Sequence, residues 1–510
     1  MVNIERVDTS SQSIVPEARS VSFARATSPF VIAIDIGSGS TRCCLYDGYG
    51  RPVKGRTVKA DHTFTEAADG TAEIDADQVA AEVAAVIGGV VADLDAGSVA
   101  GVVMDTFASS LVCVDAEGRA LTPCFTYADS RSAVHLAALR AELDEQAVHQ
   151  RVGARLHTSY HPPRLRWLRE VAPDVVEKTA KYVSLGEYVY ARLAGIEGAA
   201  TSTMAWAGIL DRRTIELDEE LLSAAGATRD QFAPVVDPDR PITDVAPEVA
   251  RRWPALAGAA WFPAIPDGFA SNLGVGADLP STAALSAATS GAIRVIVPGT
   301  PEVLPSGLWA YAVSHDRSIV GGALNDVGRV MTWLQSTLAP LAPDEIHKAL
   351  TAPPEEATPL VLPFFTGERA TGWAGNARAV FTGVSSSSTA RELWRGAAEG
   401  VAISYARVFE QLAIANPQLQ RVVASGGVTG EHPGLMRIVA QAIGFPVQVV
   451  DVKRVTMRGA ALLALSVLCP GRHPAIIPAT ALTVPEPDER PYYTDLMSRF
   501  TAVYDGVIAP

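Results

Sequence analysis

Three stretches of small residues and one isolated carboxylate hold most of the chemistry that this 510-residue chain can offer. The first stretch is Asp35-Ile36-Gly37-Ser38-Gly39-Ser40-Thr41-Arg42. It joins the β-branched run Val31–Ile36 to a second strand, Arg42–Asp47, so the spacing predicts a hairpin with a small-residue tip. Glycines at such a tip let backbone N–H groups approach phosphate oxygens, and hydroxyls add further donors. Gly37, Ser40, Thr41 and Arg42 are therefore candidate phosphate contacts, and Asp35 could hold Mg²⁺ through water. No Gly-Lys-Ser/Thr follows, which excludes a Walker loop. Alone, the stretch reads better as an ordinary Gly/Ser hairpin. It has a counterpart some 250 residues later in Thr289-Ser290-Gly291, again between two strands. One polyphosphate gripped from both sides would explain the pair. A third turn, Ser425-Gly426-Gly427-Val428-Thr429-Gly430, falls between a buried strand and a helix, where backbone can pack on a flat heterocycle or a ribose. The carboxylate is Asp267, in Pro266-Asp267-Gly268. Such a tripeptide is usually a plain turn. Between two phosphate loops, however, a single carboxylate is what phosphoryl transfer needs to orient an acceptor hydroxyl and take its proton.

The elements that must position these groups follow from periodicity. Helical spacing runs over 76–94, 131–150, 163–171, 185–194, 214–225, 327–337, 389–414, 433–443 and 459–468. Val99–Met104 and Arg421–Ala424 read as short buried strands. A proline-rich passage with Pro234, Pro238, Pro241, Pro247, Pro254, Pro263 and Pro266 reads as a hinge zone. Each half of the chain opens with strand, small-residue turn and strand. This weak repeat of architecture predicts two related α/β domains facing each other across a cleft. The division is a flexible leader over 1–29, a first domain over 30–275, a second over 276–470 and a C-terminal extension over 471–510.

Composition narrows the function. The formal net charge of −14 argues against a nucleic-acid surface, which needs clustered Lys and Arg. No apolar run approaches the ~20 residues of a membrane span, so no membrane partner is expected. Five cysteines without metal-type spacing suit a reduced, cytoplasmic protein. The oligomeric state stays open, a homodimer being one option.

In these residues the chain resembles the FGGY carbohydrate kinase family, whose fold is actin-like and hexokinase-like (ribonuclease-H-like). Asp35–Arg42 and Thr289-Ser290-Gly291-Ala292 resemble its two phosphate motifs, and Ser425-Gly426-Gly427 its adenosine motif. Arg164–Leu168 resembles one family signature, with Arg164 where Lys is usual. The run from Ala379–Val384 through Glu392-Leu393 to Ala397–Glu399 resembles another. Gly322–Asn325 with Gly328 and Trp333, and Gly367-Glu368-Arg369 with Trp373 and Asn376–Arg378, are similar to further landmarks.

The resemblance implies an ATP- and Mg²⁺-dependent kinase of a small sugar or sugar acid. Asp267 would be the base and lie near the metal, with Pro266 where Gly is usual. Gly328, Gly426, Gly427 and Thr429 would support adenosine. His157–Leu165 and Thr126–Arg131 resemble gluconate kinases, which makes gluconate the first candidate. Ser109, Asp129, Arg131, His157 and Tyr160 join Asp267 as implied sugar contacts. Ala108-Ser109 stands where gluconate kinases show Trp-His, which implies a wider pocket and keeps a ketopentose or polyol as alternatives. Two rivals of another class are a conformational ATPase of the same superfold and a degenerate, regulatory kinase.

Overall fold

A computed structural model describes residues 16–508. The first sheet is built from β1 (Phe30–Ile36), β2 (Ser40–Tyr46), β3 (Pro52–Asp61), β4 (Val99–Thr106) and the short β5 (Ala260–Trp261) and β6 (Ile265–Pro266). Its order is β5-β4-β1-β2-β3, with β6 also on β4. β1 and β3 each run antiparallel to β2 between them, whereas β4 runs parallel to β1, and β5 and β6 parallel to β4. The apolar stripe of α1 (Ala76–Val91), capped by Asp75, closes one face. Asp267 opens α2 (Asp267–Gly274).

The second sheet repeats the plan. It comprises β7 (Thr282–Ala287), β8 (Gly291–Pro298), β9 (Trp309–Ser314), β10 (Arg317–Leu324), β11 (Arg421–Ser425), β12 (Val447–Val450) and β13 (Ala479–Thr483). The order is β9-β10-β8-β7-β11-β12-β13. Within it, β10-β8-β7-β11-β12 mirrors β3-β2-β1-β4-β5: three antiparallel strands, then two parallel ones. The repeat of architecture read from the sequence is thus a repeat of topology. Helices α3 (Gly328–Thr337), α4 (Ala390–Ala415) and α5 (Pro433–Ile443) complete this half. The fold is two actin-like, ribonuclease-H-like units in one chain.

One helix crosses between the halves. α6 (Val455–Leu468) follows β12 in sequence but packs on α2, β1 and β4 of the first half. A side chain on Gly459 would collide with the Ala270 carbonyl, and one on Gly274 with the Val455 carbonyl. The two helices therefore meet backbone to backbone, where only a missing Cβ permits contact.

Several expectations change. Of the leader, residues 1–15 lie outside the described residues. The rest is docked: Val21 is buried and bridges Val53, Glu17 bridges Ile476, and Phe23 stacks on Phe30 at 5.4 Å. The proline-rich passage is not a free hinge, because β5 and β6 within it pair with β4 and bury Trp253 and Trp261. The 131–150 helix is broken at Leu143-Asp144, and 214–218 is non-helical because Asp218 caps a helix that starts at Glu219. The extension after 470 supplies β13 and α7 (Arg490–Val507), which buries Tyr493, Leu496, Phe500 and Tyr504 against α4 and α5. Its prolines flank these elements instead of interrupting them. All five cysteines are free thiols, four of them buried. Among the described residues no helix is long and apolar enough to cross a membrane.

Candidate active site

β6 pairs with the end of β4, Ile265 beside Asp105 and Pro266 beside Thr106, and the chain then turns directly into α2. Pro266 holds the extended conformation before the helix (φ −67°), which leaves Asp267 as its first residue. A carboxylate there faces the positive end of the helix dipole. Asp267 Oδ1 also accepts its neighbour's Gly268 N–H at 2.6 Å. Its carboxyl remains partly accessible, yet enough protein surrounds it to push the pKa up to about 6. Burial is the main cause, and the Asp35 charge adds to it. The Arg294 guanidinium and the Gly268 N–H pull the other way. A base poised there is ionised at neutral pH but far more basic than an ordinary aspartate.

Asp35 and Asp105 are paired in register on parallel β1 and β4, so both side chains project from the same face. Asp35 is anchored by Arg42, Nη1 to Oδ2 at 3.2 Å. Asp105 is fully buried and neither of its oxygens has a partner. Burial first, then the Asp35 and Asp267 charges, drive its pKa well above the carboxylate range. The sequence reading gave Asp105 no role. The available signal was a carboxylate ending a buried apolar strand, on the strand that must lie beside Asp35. Among the described residues no three His, Cys, Asp or Glu side chains could alone hold a metal ion. The donor set fits a cation that keeps water and takes phosphate oxygens, as Mg²⁺ does, with Asp35 as its outer carboxylate.

The first phosphate turn is braced from behind. His62 Nε2 lies 2.8 Å from the Gly37 carbonyl, and its Nδ1 2.8 Å from Glu82 on α1. Thr41 donates to the same Glu82 at 2.9 Å. The pleat of β2 sends Thr41 away from the face that carries Arg42, which corrects its reading as a phosphate contact. Gly37, Ser38 and Gly39 remain accessible at the tip. In the second hairpin, Ala288, Thr289 and Ser290 are all exposed. The start of α3 ties down this tip: the Val327 and Arg329 N–H groups donate to the Thr289 carbonyl, each at 3.1 Å, and Gly328 N–H to that of Ala288 at 2.8 Å.

The third glycine turn meets that hairpin. Gly426 has φ 118°, and a Cβ on it would strike the Ala287 carbonyl. A Cβ on Gly328 would lie 2.7 Å from the Ala288 carbonyl and 2.8 Å from Val428 Cγ2. The glycine turns therefore converge, and beyond them opens a cavity of about 570 Å³ lined by Gly328, Val428, Glu431, His432, Trp394 and Gln335 among others. Gly427 opens the short helix Gly427–Glu431. Thr429 turns its hydroxyl back to the Gly426 carbonyl at 2.8 Å, so it shapes the turn and is not free for a nucleoside.

The sugar contacts implied by resemblance divide. His157 sits between Tyr160 and Trp373, and its Nδ1 is taken by Ser159. Burial, then the Arg369 charge, pushes its pKa down to about 3, so it is a neutral imidazole. The Tyr160 hydroxyl meets that of Tyr311 at 2.5 Å. Arg131 is committed to Asp129 at 2.6 Å and to Glu73 at 2.8 Å, and its guanidinium lies over Trp167. Both side chains are taken up in this ion-pair cluster, Asp129 also accepting the Ala72 N–H at 3.1 Å, which corrects their reading as sugar contacts. Ser109 is likewise turned inward, donating to the Trp206 carbonyl at 2.5 Å. The cavity beside Ala108-Ser109 amounts to about 10 Å³, so the space released by these small side chains is not left open. Arg164 clips three carbonyls, those of Ser109, Thr126 and Thr158, and so fixes the loops around the acceptor side.

Groups that sequence reasoning missed complete this side. The Trp206 ring lies against Gly268 and packs on Tyr311 with centroids 4.1 Å apart and the planes tilted by 32°, bridging the two halves. Arg294 on β8 lies near enough for its charge to act on Asp267, and Arg369 near enough to act on Tyr160 and Tyr311.

Residues 30–274 match the N-terminal domain, and residues 284–468 the C-terminal domain, of the FGGY family of carbohydrate kinases. The chain belongs to that family. It is a carbohydrate kinase. Similar proteins include the gluconokinase of Bacillus subtilis (strain 168), 26% identical over 78% of this chain and 80% of its own length. The glycerol kinase of Nocardia farcinica (strain IFM 10152) is 24% identical over 85% and 89%, and the xylulose kinase of Escherichia coli (strain K12) 25% identical over 62% and 65%. Among solved structures, gluconate kinase from Lactobacillus acidophilus superposes with a TM-score of 0.87 at 24% identity, covering 94% of this chain and 98% of that one. Ligand-bound xylulose kinase from the same organism gives 0.87 at 23% identity, with the same coverage.

Proposed function

We propose that this FGGY kinase transfers the γ-phosphoryl group of ATP to a hydroxyl of a small sugar acid, with gluconate as the first candidate. Asp267 carries the reading. It opens a helix at the junction of the halves, and burial lifts its pKa towards the working pH. Asp267 would accept a hydrogen bond from the acceptor hydroxyl, orient it in line with the γ-phosphorus and take its proton as the bond forms. The backbone of Gly37 and Gly39 on one side, and of Thr289, Ser290 and Gly291 on the other, would hold the phosphates, with Ser40 and Arg42 beside the first turn. Adenosine would occupy the 570 Å³ cavity beyond Gly328, Gly426 and Gly427. Mg²⁺ at Asp35, through water, would supply neutralisation of phosphate charge when bound. The contact of Trp206 with Tyr311 would keep bulk water from competing as acceptor.

Gluconate leads because the gluconokinases of two Bacillus species are each 26% identical to this chain over 421 residues. The xylulose and glycerol kinases of comparable fold support a second reading, a ketopentose or polyol. The deciding measurement is ADP release with a panel of gluconate, xylulose, glycerol and related compounds, on the parent and on Asp267→Asn. We expect gluconate to stimulate turnover most, and the variant to lose ~10²-fold or more in kcat while nucleotide affinity changes less than about threefold. If no carbohydrate stimulates ADP release and Asp267→Asn behaves like the parent, the chain is a nucleotide-binding regulator and the catalytic reading fails.

A further inference from the structure

Among the described residues, Arg294 stands beside the start of α2 with no carboxylate at ion-pair distance, and a second guanidinium, Arg369, lies near enough for its charge to act on Arg294. Arg294 interrupts the apolar run Ala292–Val297 at the middle of β8 and lies over the start of α2. A Cβ on Gly268 would be 3.8 Å from Arg294 Nε and 3.9 Å from its Cζ. Its side chain makes one long hydrogen bond, Nη1 to Ser271 Oγ at 3.3 Å. Arg369 lies near enough for its charge to act on Tyr127, His157, Tyr160, Tyr311 and Arg294. Its Nε is buried without a partner. Glu368, next in sequence, does not neutralise it: that carboxylate is turned away to Arg407 at 2.8 Å and to the Tyr504 hydroxyl.

Neither cation is thus ion-paired, and the carboxylate nearest Arg294, Asp267, is the one whose task is to receive a proton. Buried charge is costly unless it is paired. A neutral polyol would bring hydroxyls but no counter-charge, whereas a carboxylate matches the planar guanidinium fork. We propose that Arg294, with Arg369 beside it, receives the carboxylate of the acceptor, which makes this pocket selective for sugar acids over neutral ketoses and polyols. The proposal rests on the kinase reading above and names the substrate class of the same site. Trp206 and Tyr311, packed on each other across the two halves, would cover the carbon chain while the carboxylate fixes its register.

The test uses the full chain with Arg294→Met and Arg294→Lys. Calorimetric titration with gluconate, which needs no turnover, is combined with kinetics on gluconate, xylulose and glycerol and with binding of a non-hydrolysable ATP analogue. For the parent, kcat/KM on gluconate should exceed that on the neutral compounds by ~100-fold or more. Arg294→Met should lower it by ~100-fold, mainly through KM, while Arg294→Lys recovers part and analogue affinity moves less than about threefold. Should the Met variant fail to fold, Arg294→Lys and Arg369→Met carry the same readouts. The proposal is overturned if Arg294→Met weakens the analogue and spares gluconate, since the guanidinium then serves the phosphates. A parent that prefers xylulose or glycerol, with all acceptors equally affected by the variant, also overturns it while leaving the kinase reading intact. If no carbohydrate is turned over, the kinase reading falls, and gluconate binding lost in Arg294→Met still decides the carboxylate site.

Discussion

The hairpins β1–β2 and β7–β8 occupy equivalent places in two sheets of the same topology, but they are built from different materials. Behind and beside the first stand ionisable side chains, Asp35 and Asp105 on one face and His62 and Glu82 on the other, where Thr41 bonds to Glu82. The second has a strand of small apolar residues, and main-chain contacts with the starts of α3 and of the Gly426 turn hold its tip. The first hairpin thus surrounds its tip with charge, while the tip of the second is held by shape alone; its one charge, Arg294, lies farther along β8, towards Asp267. Charge is needed where a proton and a cation are handled. Shape suffices where a nucleotide must lie against backbone.

Replacing Gly426 by Val should have the larger effect on this contrast. Its φ of 118° and its contact with the Ala287 carbonyl leave no room for a side chain. We expect a loss of about 3 kcal/mol in unfolding free energy, read by denaturant titration, and ATP affinity weakened ~100-fold. Gluconate binding without nucleotide should change little. Equal losses at both ligands would mean that the turn supports the whole cleft.

pH separates the two sides next. With Asp267 held up to about 6, kcat/KM should fall about tenfold per pH unit below 6, because the base must be ionised. Stability runs the opposite way. Between the ordinary value of 3.8 and about 6 the folded state binds more protons than the unfolded chain, so unfolding free energy declines as pH rises through that window. The loss amounts to at most about 3 kcal/mol. Asp267→Asn should flatten this slope. A slope unchanged in the variant would assign the titration to another group.

Thr41→Val should do least. With its hydroxyl on Glu82 and not on a phosphate, KM for ATP should stay within about twofold of the parent. A tenfold rise would restore Thr41 to the nucleotide.

How much was legible follows from range. The hairpins, the glycine turns and Asp267 are local patterns, and the chain displays them within a few residues. Thr41 was misread although the pleat could have placed it: if Arg42 shares a face with Asp35, its neighbour cannot. Asp129 and Arg131 resemble sugar contacts in sequence because the carboxylate that completes their cluster, Glu73, is 58 residues from Arg131. Arg294 and Asp105 were visible as single polar residues in apolar strands, but their meaning depends on strands that meet only in the folded sheet. The docking of Val21 on Val53 is a long-range pairing of the same kind.

The crossing of α6 has a consequence for how the molecule can be taken apart. The polypeptide builds most of the first half, then the second, returns to finish the first with one helix, and goes back to complete the second with β13 and α7. A gene cut at residue 275 would not yield a self-contained N-terminal module. It would yield one with an uncovered groove along α2, at the backbone surface that Gly459 normally fills. Such a fragment should be recovered in soluble form only when a peptide spanning 455–468 is supplied with it, and the helix that begins with Asp267 would be the first element to lose its place.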